Sequence, residues 1–184
     1  MVLNYCDDQI WLSPDNKLIE TYVQKLKDLN YDLTLEEDGD IFGFLGIEFE
    51  RIGTKIKLTQ SGLAKKVINY MGMSKATPKD TPAAQAPLGS DKNGDPFDEE
   101  WHFPAAVGML LYLSSNTRPD IQFAVHSAAR HSHAPKKPHG QAVKRIARYL
   151  LDTYDRGIEM TLDSNQGLDC MVDADFCGLY GAED

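Results

Sequence analysis

Apolar residues recur along this chain in two periods. Met1-Val2-Leu3 and Ile10-Trp11-Leu12 flank the polar centre Tyr5-Cys6-Asp7-Asp8, which predicts a hairpin with the paired aspartates at its tip. Ser13-Pro14-Asp15 has the form of a helix start, with Ser13 as cap and Pro14 in the first turn. Leu18, Tyr22, Val23, Leu26 and Leu29 follow at helical spacing, so that helix should bury one face. Ile41, Gly43, Leu45, Ile47 and Phe49 alternate along one face of a strand. After Gly53 the alternation resumes at Ile56 and Leu58, with Lys55 and Lys57 pointing the other way, giving a second hairpin. Thr59 then caps a helix with Leu63, Val67, Tyr70 and Met71 on its buried side, closed by Gly72.

The stretch 77–97 is rich in Pro, Ala, Gly and Asp and predicts a linker or long surface loop. Three helices follow, at about 104–115, 119–131 and 138–151. Each opens on a proline and carries an apolar stripe, such as Val143, Ile146, Ala147 and Leu150. Two strands are expected at 157–162 and 168–175. Hairpins followed by helices and then strands make the class α+β.

Composition narrows this picture. The 184 residues are 42% hydrophobic and 26% charged, ordinary for a globular chain and unlike a disordered or low-complexity one. No apolar run is long enough to span a membrane. The N-terminus lacks the basic and apolar regions of a secretion signal. Three dispersed cysteines, Cys6, Cys170 and Cys177, suggest reduced thiols. An intracellular chain, cytoplasmic or nuclear and with no membrane partner, is expected. Net charge is −9, but unevenly spread. Twelve acidic residues lie in 7–50, whereas 130–148 holds six basic residues, Arg130, Lys136, Lys137, Lys144, Arg145 and Arg148, and no acid.

Three constellations could carry chemistry. Asp7 and Asp8 at a hairpin tip place two carboxylates where a hard cation or water must compensate them; two divalent ions held by carboxylates are the geometry of phosphoryl transfer. Asp favours turns, so a bare pair reads first as a solvated turn; Tyr5 before it, the apolar strands on both sides and the helix start after it shift the balance toward a site. Asp173 and Asp175, two apart on a strand, project to one face and could share a metal, or could simply lead the strand into a turn. The cations of 130–148 suit phosphate-backbone contact, or form a solvated helix face. His126, His131, His133 and His139 match no common zinc spacing.

In order along the chain, Tyr5-Cys6-Asp7-Asp8, Phe44-Leu45-Gly46-Ile47-Glu48, Leu58-Thr59-Gln60, Val107-Gly108-Met109-Leu110-Leu111-Tyr112, Thr117-Arg118-Pro119-Asp120-Ile121, Ala142-Val143-Lys144-Arg145-Ile146-Ala147-Arg148-Tyr149-Leu150 and Asp173-Ala174-Asp175-Phe176 are similar to blocks of copia-type LTR retrotransposon polyproteins. The first resembles the Tyr-x-Asp-Asp box of reverse transcriptases. The resemblance implies a partial reverse-transcriptase palm with its primer-grip hairpin over 1–76, a linker or surface loop over 77–103, a helical thumb and connection over 104–155, and the first strands of a ribonuclease H-like domain over 156–184.

The same resemblance implies roles for particular residues. Asp7 and Asp8 would be catalytic ligands of a two-magnesium polymerase site, and Asp173 the first metal-binding, catalytic carboxylate of ribonuclease H. Tyr5, Phe44, Leu45, Gly46, Lys144, Arg145 and Arg148 would contact nucleic acid, an RNA or DNA template–primer duplex joined by an incoming dNTP. The implied activity is RNA-directed DNA polymerisation. The third polymerase carboxylate normally lies upstream of the Tyr-x-Asp-Asp box, and only six residues precede Asp7 here. The chain alone is therefore expected to be inactive, needing the remaining palm, fingers and ribonuclease H segments. A rival reading keeps only nucleic-acid binding through the basic helical surface; a metal-dependent hydrolase built on Asp173 and Asp175 is a third.

Overall fold

A computed structural model describes residues 1–6, 8–29, 43–86 and 88–161. The chain divides into two compact units, Met1–Phe44 and Leu45–Asp184. In the first unit, β1 (Val2–Tyr5) and β2 (Asp8–Trp11) pair antiparallel with Tyr5 opposite Asp8 and Val2 opposite Trp11. Helix α1 (Asn16–Asp28) follows, and the two-residue strand β3 (Gly43–Phe44) ends the unit. The cap of α1 is Asp15, whose carboxylate accepts from the Lys17 N–H at 3.0 Å. Ser13, expected as the cap, instead accepts from the Asp15 N–H at 3.1 Å, so it orders the turn that presents the true cap. The apolar stripe of α1 forms as its periodicity predicts, but the helix has no buried residue, and Leu18, Tyr22 and Leu29 remain exposed. Among the described residues of this unit, the hairpin and the two-residue β3 offer too little apolar surface to cover it.

The second unit holds the core. Strands β4 (Ile47–Ile52), β5 (Lys55–Thr59) and β6 (Ile158–Thr161) run antiparallel in that spatial order, with Phe49, Leu58 and Ile158 in register on one half-buried face. Gly53, at φ +60°, makes the tight β4–β5 turn that a side chain would resist. The helices are α2 (Ser61–Tyr70), α3 (Phe103–Asn116), α4 (Gln122–Ala129) and α5 (Lys137–Leu151); a 3-10 turn, Pro119–Ile121, precedes α4. The helix expected over 119–131 is thus split, its proline start taken up by the tighter turn. Val67 from α2, Leu110 and Leu113 from α3, Val125 from α4 and Val143, Ile146 and Leu150 from α5 are all essentially inaccessible to solvent. The Val143, Ile146, Ala147 and Leu150 stripe is buried as read from the sequence, because the helix turns it to the shared interior. At α2, Val67 and the C-cap Met71 are buried likewise, but Tyr70, expected on the same side, is exposed.

Among its described residues, the stretch between α2 and α3 has no helix or strand of its own beyond a single Pro96–Lys136 bridge. It nevertheless lies against α5. Phe97 packs edge-on to Trp101 and Phe103, and its ring sits 2.8 Å from where a Cβ on Gly140 would be, so the absence of a side chain at 140 makes room for it. Among the described residues no helix is long and apolar enough to cross a membrane.

Candidate functional site

The Tyr5–Asp8 hairpin turns in two residues, and Cys6 takes φ +50°, the left-handed conformation that such short hairpin turns demand. Tyr5 and Asp8 are directly opposite, so their side chains share a face, and both are exposed. Asp8 is therefore an accessible carboxylate at the end of a paired two-stranded ladder. Asp7 lies outside the described residues, as do Asp173 and Asp175 with the strand expected at 168–175. Among the described residues no group of three or more His, Cys, Asp or Glu side chains is gathered closely enough to hold a metal ion.

The second implied site begins at Leu45. Leu45 and Gly46 have φ +53° and +72°, both left-handed, ahead of β4. For glycine this is free, but for leucine it costs about 1–2 kcal/mol. The Tyr112 hydroxyl, from α3, donates to the Leu45 carbonyl at 2.6 Å across 67 residues of chain. Three positions after Leu45, Glu48 accepts from Thr59 Oγ1 at 2.9 Å, from Ser61 Oγ at 2.6 Å and from the Gly62 N–H at 3.2 Å. The first turn of α2 is thus capped by a carboxylate from the neighbouring strand. Thr59, expected as the cap, holds that carboxylate instead, and the residue at the cap position, Gln60, makes no capping bond.

The Ser61 hydrogen bond, with those of Gly62 and Thr59 and the charge of Lys65, holds the Glu48 carboxyl below its ordinary value against a smaller opposing effect of burial. Its stabilisation is fully present above the usual glutamate range and is lost as pH falls through the lowered folded value. Glu48→Ala is expected to cost about 1–2 kcal/mol, the scale of a lost helix cap, in urea unfolding at neutral pH. A loss below a few tenths of a kcal/mol would show that water replaces the carboxylate at no cost.

Buried Gln60 accepts from Thr117 Oγ1 at 2.9 Å. Next to Thr117, Arg118 is the largest fully buried side chain among the described residues. Its Nε and one terminal nitrogen grip the two Asp120 oxygens at 2.9 and 2.7 Å, and the guanidinium also donates to the Thr153 carbonyl at 2.5 Å and the Thr153 hydroxyl at 2.9 Å. The Tyr149 hydroxyl donates to Asp120 Oδ2 at 2.8 Å. Burial acts to raise the Asp120 pKa, but the Arg118 and Tyr149 hydrogen bonds and the guanidinium charge outweigh it and hold the carboxyl below its ordinary value. Burial, then the Asp120 contact, raises that of Tyr149.

The sequence blocks that look separate on the page are therefore bonded in a chain. Leu45 meets Tyr112, Glu48 meets Thr59, Gln60 meets Thr117, and Asp120 meets Tyr149. Sequence reasoning missed Arg118, Asp120 and Tyr149 as an interacting set, and Tyr112 as the partner of Leu45. The signal available for the first was an Arg and an Asp two residues apart between two helix-forming apolar stripes, since charges are seldom buried unless paired.

The basic face of α5 is also engaged within the chain. Lys144 pairs with Glu99 at 2.6 Å, Arg145 donates to the Thr81 carbonyl and hydroxyl at 3.1 and 2.8 Å, and Arg148 donates to the Thr77 carbonyl at 2.6 Å. Lys137 pairs with Asp95 at 2.8 Å. These cations fasten the 77–100 segment along the helix. His139, fully buried, accepts the Lys136 N–H on Nδ1 at 2.8 Å, and its Nε2 lies 2.9 Å from the Gly89 carbonyl, while its ring stacks on His131 at 3.9 Å. The two histidines serve the start of α5 and the loop beside it.

No protein-family model matches the chain, and no solved structure matches it significantly. Curated relatives do. The Retrovirus-related Pol polyprotein from transposon RE1 of Arabidopsis thaliana is 32% identical over 177 residues, 96% of this chain and 12% of the polyprotein. The corresponding polyprotein from transposon TNT 1-94 of Nicotiana tabacum is 32% identical over 164 residues, 83% of this chain and 12% of its own length. The uncharacterized mitochondrial protein AtMg00810 of Arabidopsis thaliana is 28% identical over 180 residues, 96% of this chain and 72% of that protein. The chain thus spans about an eighth of the length of the Pol polyproteins it matches. Over nearly all of its own length, it belongs with the Pol polyproteins of copia-type retrotransposons, as the counterpart of one segment of them.

Proposed function

We propose that this chain is the catalytic-hairpin, primer-grip and thumb segment of an RNA-directed DNA polymerase, running into the start of ribonuclease H. The observation that carries the reading is the two-residue turn between Tyr5 and Asp8, which sets an exposed carboxylate beside an exposed tyrosine at the tip of a paired hairpin. The similarity to Pol polyproteins over the same stretch supports it. An exposed carboxylate oxygen is a hard donor that suits Mg²⁺, which commonly binds through one or two carboxylates and keeps its remaining waters. Asp7 and Asp8 are the residues proposed to hold it. When bound, the ion supplies Lewis acidity for the attacking 3′-hydroxyl and the departing pyrophosphate.

The chain's own groups do the rest. Tyr5 stands on the same hairpin face as Asp8, and the Leu45–Gly46 turn offers backbone groups for the primer end. Template–primer duplex and dNTP are the proposed substrates. Lys144, Arg145 and Arg148 reach a phosphate only by exchanging their present partners on the 77–100 segment. Asp173 is proposed as a ribonuclease H carboxylate.

The test is primer extension on an RNA template with magnesium, using the transposon RE1 polyprotein in which this chain replaces the stretch it matches. Incorporation is expected, and Asp7→Asn with Asp8→Asn should abolish it while duplex binding persists. Extension that survives both substitutions refutes the assignment, as does an inert exchange beside an active parent polyprotein.

A further inference from the structure

Tyr112 belongs to α3, between Leu110 and Leu113, two of the most completely buried residues in the protein, yet its own side chain is 44% exposed. It therefore extends from one of the most firmly packed helices to a turn at the margin. There its hydroxyl donates to the Leu45 carbonyl at 2.6 Å, at the short end for an O–H to carbonyl bond. The acceptor sits on the peptide that joins two left-handed residues, Leu45 and Gly46. Gly46 takes its positive φ freely, but Leu45 carries a Cβ and holds its own at a steric cost. Rotating the peptide alone would not relieve this, because it would leave Leu45 at positive φ in a region reserved for glycine. The hydroxyl on the Leu45 carbonyl holds the turn against relaxation of Leu45 to negative φ.

We infer that Tyr112 is a positioning residue for the primer 3′ end: its hydroxyl holds Leu45 in the left-handed conformation and so fixes which backbone groups the turn presents. This rests on the polymerase reading above, in which that turn is the primer grip. Tyr112→Phe removes the hydroxyl and keeps the ring. In the full chain, ¹⁵N–¹H spectra should show the Gly46 amide shifted and its exchange accelerated, with α3 amides unchanged.

In the active RE1 exchange, Tyr112→Phe should leave duplex affinity and the KM for dNTP within about twofold and lower kcat by roughly fivefold to tenfold, the range of one lost hydrogen bond. An unshifted Gly46 amide overturns the inference. An unchanged kcat with only a lower melting temperature also overturns it, because it reduces the bond to a staple. An exchange that incorporates no nucleotide sinks the polymerase reading and the primer role with it, while the Gly46 spectrum still decides whether Tyr112 sets the turn.

Discussion

Asp120→Ala is expected to destabilise the second unit by roughly 3–5 kcal/mol, the cost of removing one partner from a buried ion pair. The carboxylate itself is partly accessible, at 37%, but the guanidinium it neutralises is only 2% exposed. Without Asp120, the hydrogen-bond acceptors left to the Arg118 guanidinium are the Thr153 carbonyl and hydroxyl, with the Tyr149 ring centre 5.6 Å from Cζ. A charge so deeply placed can neither rehydrate nor lose its proton, since arginine stays charged. Tyr149→Phe, which removes one neutral donor from the same carboxylate, should cost only about 1 kcal/mol. Urea unfolding at neutral pH measures both, and a loss of under 1 kcal/mol for Asp120→Ala would mean that Thr153 and water suffice.

The pH dependence has a definite sign. The Asp120 carboxyl is held below the ordinary aspartate range in the folded chain, so its contribution is fully present above that range and fades as pH falls through the lowered value. Wild type should therefore lose stability in that acid window more steeply than Asp120→Ala, and the two curves should converge at low pH. Parallel curves would contradict the pairing.

Gly157→Ala is expected to cost about 3 kcal/mol, the upper end of ordinary overpacking. A Cβ at 157 would lie 1.9 Å from the Leu58 carbonyl oxygen and 2.9 Å from both the Leu58 carbonyl carbon and Thr59 Cγ2. Two of those atoms are backbone in the central strand β5, so no rotamer change relieves the contact. The pairing of Leu58 with Ile158 begins one residue later, and the chain must either distort β5 or release β6. For a chain of this size the loss corresponds to a melting temperature lower by roughly 6–12 °C. Gly108→Ala, where nothing lies within 4 Å, serves as the control and should be neutral or slightly stabilising. A Gly157→Ala melting curve within 2 °C of wild type, on the order of 1 kcal/mol or less, would show that β6 does not approach β5 so closely.

How much of this was legible beforehand depends on the range of the interaction. The stripe Val143, Ile146, Ala147 and Leu150 reports the period of one helix, and that helix forms over Lys137–Leu151 with the stripe buried. Gly53 and Gly72 mark turns because both need positive φ, a property of the residue itself. Short-range chemistry still misleads by a residue or two when several polar side chains compete. Ser13 and Asp15 both can cap α1, and Asp15 wins by reaching the Lys17 N–H. For α2 the expectation fails more deeply, since its cap, Glu48, is thirteen residues before Ser61 in the chain.

The candidate site divides in the same way. The Tyr5–Asp8 hairpin is visible in sequence because two apolar runs and a polar centre are all it needs. The charge of 130–148 is equally visible, but its partners, Thr77, Thr81, Asp95 and Glu99, are not. The sequence by itself determined the helices, the hairpins, the α+β class and the kinship with copia-type Pol polyproteins, since propensity, periodicity and block order are local or ordinal properties. Only the tertiary structure decided that Arg118 is sealed against Asp120, that Tyr112 reaches Leu45, and that the α5 cations face their own chain. Those contacts are set by which surfaces pack together, and the spacing of residues along one strand of sequence carries no record of that choice.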